Sequence, residues 1–192
     1  MSMLRPAFVT TAALTVIVGL AYPLAVTGIG RLVFPRQAAG SLIVRQGRVV
    51  GSELVGQFTE DPKYFWGRLS DAGDFPTNAA NSGGSNLAPS NPDLRKAAEA
   101  RIKALRALDP DNPAPVPEDL VTASASGLDP DISPAAAQYQ AARVARARGL
   151  PEAQVRDLVR RLERGRALDL IGEPRVNVLA LNLALDGENK NN

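Results

Sequence analysis

Residues 6–30 read PAFVTTAALTVIVGLAYPLAVTGIG, a run without one charged side chain, and the rest of the chain carries both acids and bases. At about 1.5 Å per residue a helix of this length covers about 37 Å, more than the roughly 30 Å of hydrocarbon in a bilayer. The spacing therefore predicts one transmembrane helix over 6–30 that anchors everything downstream. A cleaved secretory signal is the rival reading, since Arg5 supplies a short basic start. The apolar part of such a signal runs about 7 to 15 residues and closes on a small-x-small site, neither of which fits. Pro23 lies late in the run and removes a backbone donor, so it should kink or loosen the helix. Thr10, Thr11, Thr15, Gly19, Ala21, Ala25 and Gly28 are small or weakly polar, suited to close helix approach in lipid. A lone lipid-facing helix fits the same residues.

Working outward, residues 31–192 have the size of one domain with a real core. Lys and Arg number 22 against 20 Asp and Glu, a net charge of +2 with a pI near 9.2. That balance points away from a polyanion partner such as nucleic acid. The chain has neither Cys nor His, so disulfides, thiolate catalysis and imidazole acid–base chemistry are unavailable, and the usual zinc ligands with them. The expected fold class is α+β: a transmembrane helix, then one mixed domain with a hairpin, a long loop and about four helices.

In SLIVRQGRVVGSELVGQ two β-branched runs flank Arg45-Gln46-Gly47, a hairpin signal with Gly47 at the turn. Residues 58–92 form a long loop punctuated by Pro and Gly, with Tyr64, Phe65 and Trp66 inside it. So long an irregular stretch in a compact domain points to function or a partner surface. PDLRKAAEARIKALRAL (92–108) places Leu94, Ala98, Ile102, Leu105 and Leu108 on one helical face, with Asn91 as N-cap, and that face should pack on the core. A Pro-rich connector follows. Ser133-Pro134 opens a second helix that stops at Gly149, and Pro151 opens a third with Val155, Leu158, Val159 and Leu162 apolar. NVLALNLAL (177–185) suits a strand or a helix capped by Asn177, and the helix is preferred because Ala and Leu favour it. The tail GENKNN (187–192) should fray.

Four features could carry chemistry. Ser82-Gly83-Gly84-Ser85-Asn86 exposes backbone amides that could cradle a phosphate, and it has the look of the Ser-Gly-Gly signature of ABC ATPases. No G-x-x-x-x-G-K-[ST] motif occurs and no basic residue lies between Arg68 and Arg95, so a turn or docking loop is the preferred reading. At least one of Gly83 and Gly84 is expected at positive φ. The acids Glu118, Asp119, Asp129 and Asp131 could hold a hard cation or act as acid and base, but Asp beside Pro is an ordinary turn former. Arg143, Arg146, Arg148, Arg156, Arg160, Arg161, Arg164 and Arg166 resemble a nucleic-acid face, yet interleaved acids make a solvated face the expectation. Tyr64, Phe65 and Trp66 could anchor a partner or fill the domain's own core.

Taken in order, GSELVGQ (51–57), DPKYFWGR (61–68), SGGSNLAPSNPDL (82–94), VPEDLVTASASGLDPDISPAAA (116–137), RVARARGL (143–150) and GEPRVNVLALNLAL (172–185), behind one N-terminal span, resemble the KdpC family, the C chain of potassium-transporting Kdp ATPases. Two departures stand out: Asp131 replaces the histidine usual in that family's string, and Arg68-Leu69-Ser70 replaces Arg-Pro-Ser. The resemblance implies a non-catalytic accessory subunit of a bacterial inner-membrane complex. In that complex KdpA is the potassium-selective pore, KdpB the P-type ATPase that uses ATP and magnesium, and KdpF a small helix. It further implies that the chain binds no cofactor or metal itself, raises the ATP affinity of KdpB, and keeps its soluble domain on the outer face. It leaves Tyr64, Phe65, Trp66, Gly83, Gly84 and Asn86 as candidates for partner docking. Charge counting points the other way on sidedness, because only Arg5 precedes the span whereas Arg31, Arg36, Arg45 and Arg48 follow it. A membrane-anchored periplasmic binding module and a directly ATP-binding subunit are the alternative functions.

Overall fold

The computed structural model describes residues 2–188, and the chain divides into two compact units, 1–50 and 51–192. In the first, helix α1 (Leu4–Val16), a π-helical turn (Ile17–Ala21) and helix α2 (Tyr22–Val33) run on as one helix over Leu4–Val33. Among the described residues this is the one helix long and apolar enough to cross a membrane. It outruns the expected 6–30 at both ends, because nothing in the sequence stops it before Phe34. There the ring of Pro35 disfavours helical backbone, and Phe34 sits at φ −129°, ψ 57°. The loosening expected from Pro23 takes the form of the π turn just ahead of it, where the Tyr22 N–H donates to the Ile17 carbonyl five residues back. A short helix α3 (Pro35–Ala38) then leads into the hairpin of β1 (Leu42–Arg45) and β2 (Arg48–Ser52). Gln46 and Gly47 both take positive φ, 50° and 74°, the signature of a two-residue turn whose twist matches the strands.

The second unit carries the core. No helix or strand interrupts residues 53–91, in keeping with the expected long loop. Helix α4 (Pro92–Leu108) begins where Asn91 accepts the Asp93 N–H, as its sequence predicts. Its apolar face is less engaged than expected, for only Leu105 is buried while Leu94, Ala98, Ile102 and Leu108 are half-exposed. A single 3-10 turn (Glu118–Leu120) and strand β3 (Asp131–Ile132) precede helix α5 (Pro134–Arg148). Ser133 caps α5 by accepting the Ala136 N–H, and Gly149 ends it at φ 65°, a left-handed position that costs Gly least. Helix α6 (Glu152–Leu162) packs back on α5, burying Val155, Leu158 and Val159.

Two strands that the sequence did not announce follow: β4 (Glu163–Arg164) and β5 (Arg175–Asn177), the latter leading straight into helix α7 (Val178–Glu188). Strand order is β3-β5-β4, all antiparallel, with Ile132 opposite Val176 and Arg164 opposite Arg175. The ambiguous stretch from Asn177 is thus a helix, and its Asn177 cap accepts the Ala180 N–H while its N–H already belongs to a strand. Helices α5, α6 and α7 and strand β5 enclose Phe65, Val144, Val159, Val176, Leu181 and Leu185, all at most 1 % exposed. Of the tail expected to fray, Gly187 and Glu188 belong to α7, and residues 189–192 lie outside the described residues.

Candidate functional site

The long loop begins with a strap, residues 61–67, whose carbonyls are each taken by a side chain. Trp66 Nε1 donates to the Asp61 carbonyl at 3.2 Å. Arg143 donates one Nη to the carbonyls of Pro62 and Tyr64, and Arg148 Nε donates to that of Lys63 at 2.6 Å. Asn182 brackets Phe65, accepting its N–H at 2.8 Å and donating to its carbonyl at 3.0 Å. Gln140 brackets Trp66 in the same way, at 2.9 and 3.0 Å. Arg101 Nη2 closes the row on the Gly67 carbonyl at 3.0 Å. The strap has no neighbouring strand, so these side chains supply the pairing a sheet would give, and the buried backbone is satisfied.

The same arginines stack on the aromatic rings. Arg101 lies 4.5 Å and Arg143 5.3 Å from the Trp66 centroid, and Arg148 lies 4.9 Å from that of Tyr64. Burial pulls the Arg101 and Arg143 guanidinium groups down to about 10, still well above neutral pH, so both remain cationic. Arg148, its side chain 2 % exposed, is neutralised by Asp186 at 2.9 Å. The expected solvated arginine face is therefore corrected at its N-terminal half: Arg143 and Arg148 are interior and Arg146 pairs with the buried Asp109. Arg156, Arg160 and Arg166 do keep to exposed or half-exposed pairs with Glu152, Asp157 and Glu173.

Phe65 is 0 % and Trp66 5 % exposed, both within the domain's own core, which leaves half-buried Tyr64 as the part of that cluster a partner could touch. Gln140, Arg101 and Asn182 went unread in the sequence. A signal for Gln140 was there, since it falls on the α5 stripe of Ala137, Ala141 and Val144, where a polar side chain needs a partner.

The Ser-Gly-Gly loop lies against residues 124–127. The Gly83 N–H and the Ser82 hydroxyl both donate to the Ser126 carbonyl at 2.9 Å. Neither Gly83 nor Gly84 has positive φ, against expectation. Asn86 takes that conformation instead, at 51°. Gly84 is required for a different reason: a Cβ there would stand 2.8 Å from the Ala125 carbonyl oxygen and 3.1 Å from its Cα. The left-handed turn belongs to the opposing Gly127, φ 66°, where a Cβ would meet the Gly83 carbonyl at 2.6 Å. Ser85 follows Gly84 on this half-buried segment.

The acids act as internal ties. Asp119 accepts the Ser133 N–H and hydroxyl at 2.7 and 3.1 Å, Asp129 pairs with Arg68 at 3.1 Å, and Asp131 bridges Arg175 and Asn177. Asp131 thus spends its charge joining β3 to β5, so no titrating imidazole is needed for that link. Among the described residues no three acids gather as a cation site. The cavity between Thr59, Arg68, Ser70, Thr77 and Arg101 measures about 70 Å³, room for water rather than a nucleotide. A wider surface groove of about 690 Å³, beside Pro115 and Tyr139, sets two acids, Glu118 and Asp119, against one base, Arg156, which already pairs with Glu152.

Known proteins share this sequence along its length. The model of the family described as "KdpC: K+-transporting ATPase, c chain" matches residues 4–187. A potassium-transporting ATPase KdpC subunit of Methylibium petroleiphilum is 61 % identical over 186 residues, covering 97 % of each chain. Those of Variovorax paradoxus and Polaromonas naphthalenivorans are each 63 % identical over 185 residues, covering 96 % of this chain and 96 % and 94 % of theirs. From the N-terminal span to the last helix, the chain belongs to the KdpC family of potassium-transporting ATPase C chains.

Proposed function

We propose that the chain is the non-catalytic accessory subunit of a high-affinity, ATP-driven potassium uptake complex, held in a bacterial inner membrane by the Leu4–Val33 helix. Its partners are the pore subunit KdpA, the P-type ATPase subunit KdpB and the small helix KdpF, with ATP and magnesium used by KdpB alone. Family membership across the whole chain supports the role. The observation that carries the non-catalytic part is the Ser-Gly-Gly loop, whose Gly83 N–H and Ser82 hydroxyl are already spent on the Ser126 carbonyl. A phosphate cradle needs such groups free and a cation beside them, and position 84 is packed against backbone instead.

The soluble domain works from the outer face, against the arginine count after the span, because a helix inserted together with partner subunits can override a modest charge bias. Acting across the bilayer from the nucleotide, it raises the ATP affinity of KdpB by preferring one conformational state of the transporter. Titration calorimetry of the purified chain with magnesium and ATP tests the non-catalytic reading. No heat of specific binding is expected, whereas a magnesium-dependent affinity in the micromolar range would favour a directly ATP-binding subunit.

A further inference from the structure

The π turn inside the span leaves a backbone acceptor without a donor from its own helix, at a depth that bulk water does not reach. Tyr22 donates to Ile17 in the five-residue register. The next donor in sequence would be residue 23, but Pro23 has no N–H. The carbonyl of Val18, five residues back, therefore loses the partner of either register, since Tyr22 is given to Ile17, and that of Gly19, four back, loses its four-residue partner. In hydrocarbon an unmet carbonyl is costly and is met by neighbouring helices, hydroxyl side chains or water. One turn away on the N-terminal side, the Thr15 hydroxyl is already given to the Thr11 carbonyl at 2.8 Å. The surface over the turn is open as well: a Cβ on Gly19 would meet nothing nearer than Thr15 Cγ2 at 3.9 Å. Absent side chain and unmet carbonyl coincide, so another backbone can come close enough for a short hydrogen bond.

We infer that the Val18–Gly19 carbonyl edge is the seat of a transmembrane helix of a partner subunit that presents an O–H or amide N–H donor at mid-membrane, of the Ser, Thr, Asn or Gln class. The inference rests on the reading of the chain as a subunit of a membrane complex. Hydrogen-bond complementarity selects the occupant, because lipid chains offer no donor and a purely aliphatic helix leaves the carbonyls unmet.

The test uses the full chain co-expressed with its partner subunits. Recovery of the unaltered chain with the solubilised complex checks the subunit reading by itself. Pro23→Ala restores an internal N–H and is the better helix former, so membrane insertion persists while the acceptor is withdrawn. Gly19→Leu blocks close approach, and Leu32→Val near the far end is the control. About a threefold or greater loss of recovery is expected for Pro23→Ala and Gly19→Leu and none for the control. A loss in Pro23→Ala could also come from straightening, so the carbonyl ¹³C resonances of Val18 and Gly19 are compared in the complex and in the lone chain in phosphatidylethanolamine–phosphatidylglycerol vesicles. A downfield move in the complex supports the seat. Full recovery of Pro23→Ala, or unchanged resonances, would overturn it.

Discussion

Gln140 condenses the physics of this domain into one side chain. Its amide holds both backbone groups of Trp66, and its oxygen also accepts from Arg143 at 2.7 Å. Gln140→Leu keeps approximate volume and strips away these three bonds and a fourth to the Ala136 carbonyl, leaving the buried Trp66 N–H and carbonyl unmet. At about 1–3 kcal/mol per orphaned group, a loss of about 2–5 kcal/mol is expected from denaturant unfolding of the full chain in detergent. A loss under about 1 kcal/mol would mean that water replaces the amide. The two glycines of the Ser-Gly-Gly loop should separate cleanly. Gly84→Ala drives a Cβ into the Ala125 backbone and should cost about 1–3 kcal/mol, whereas at Gly83 the nearest atom is the Asp71 carbonyl oxygen, 4.0 Å from a Cβ, and Gly83→Ala should cost under about 1 kcal/mol. Equal effects would contradict the close-approach account. Titration has a plain shape too. The sequence has no His, and Arg101 and Arg143, pulled down only to about 10, keep their charge between about pH 6 and 9, so these two buried groups should add no pH dependence to stability there. Asp61 is held below the usual carboxylate range, first by the Lys63 N–H and then by its ammonium group. A lowered acid stabilises the fold above its unfolded value near 3.8, so that contribution should fade as pH drops below about 4.

At the scale of elements, what could be read in advance was what neighbouring residues decide. Asn91 and Ser133 mark helix starts, Gly149 marks a stop, and Gln46-Gly47 marks a turn, each through bonds to residues within four positions. The long apolar helix was legible for the same reason, since its message is continuous apolarity. What stayed hidden is what distant residues decide. Apart from the Trp66 indole, the strap is ordered by side chains 34 to 117 residues away, so little that is local distinguishes it from a loose loop. Arg143 and Arg148 looked solvated because their partners, the carbonyls of residues 62–64, lie 79 to 85 positions upstream. Strands β3, β4 and β5 are two or three residues long, too short for any periodicity to reveal. Within the candidate site, the loop was found and its backbone misjudged, with positive φ at Asn86 and Gly127 rather than at Gly83 or Gly84, because a close approach to Ala125 leaves no mark in the sequence. The helix stop offers a direct check: Gly149 has open space around it but φ 65°, so Gly149→Ala should cost about 1 kcal/mol through backbone strain alone, and Gly149→Asn less.

Across the whole molecule, sidedness separates the account from its rival. Alkaline phosphatase fused after Asn192 should be active, because export of the domain exports the reporter. A stable, full-length but inactive fusion would place the domain in the cytoplasm with the arginines that follow the span. If the domain lies outside, as proposed, any influence it has on a nucleotide bound on the cytoplasmic side must be allosteric. A preference of about 1.4 kcal/mol for one transporter state would change ATP affinity tenfold, and linkage requires nucleotide to tighten the chain's hold on the complex by the same factor. The most direct measurement is the affinity of the full chain for reconstituted KdpA and KdpB, with and without a non-hydrolysable ATP analogue, alongside the ATP affinity of the same preparation with and without the chain. The account predicts that the two ratios are equal and greater than one. An unchanged hold on the complex, in a preparation where the chain still raises ATP affinity, would contradict it.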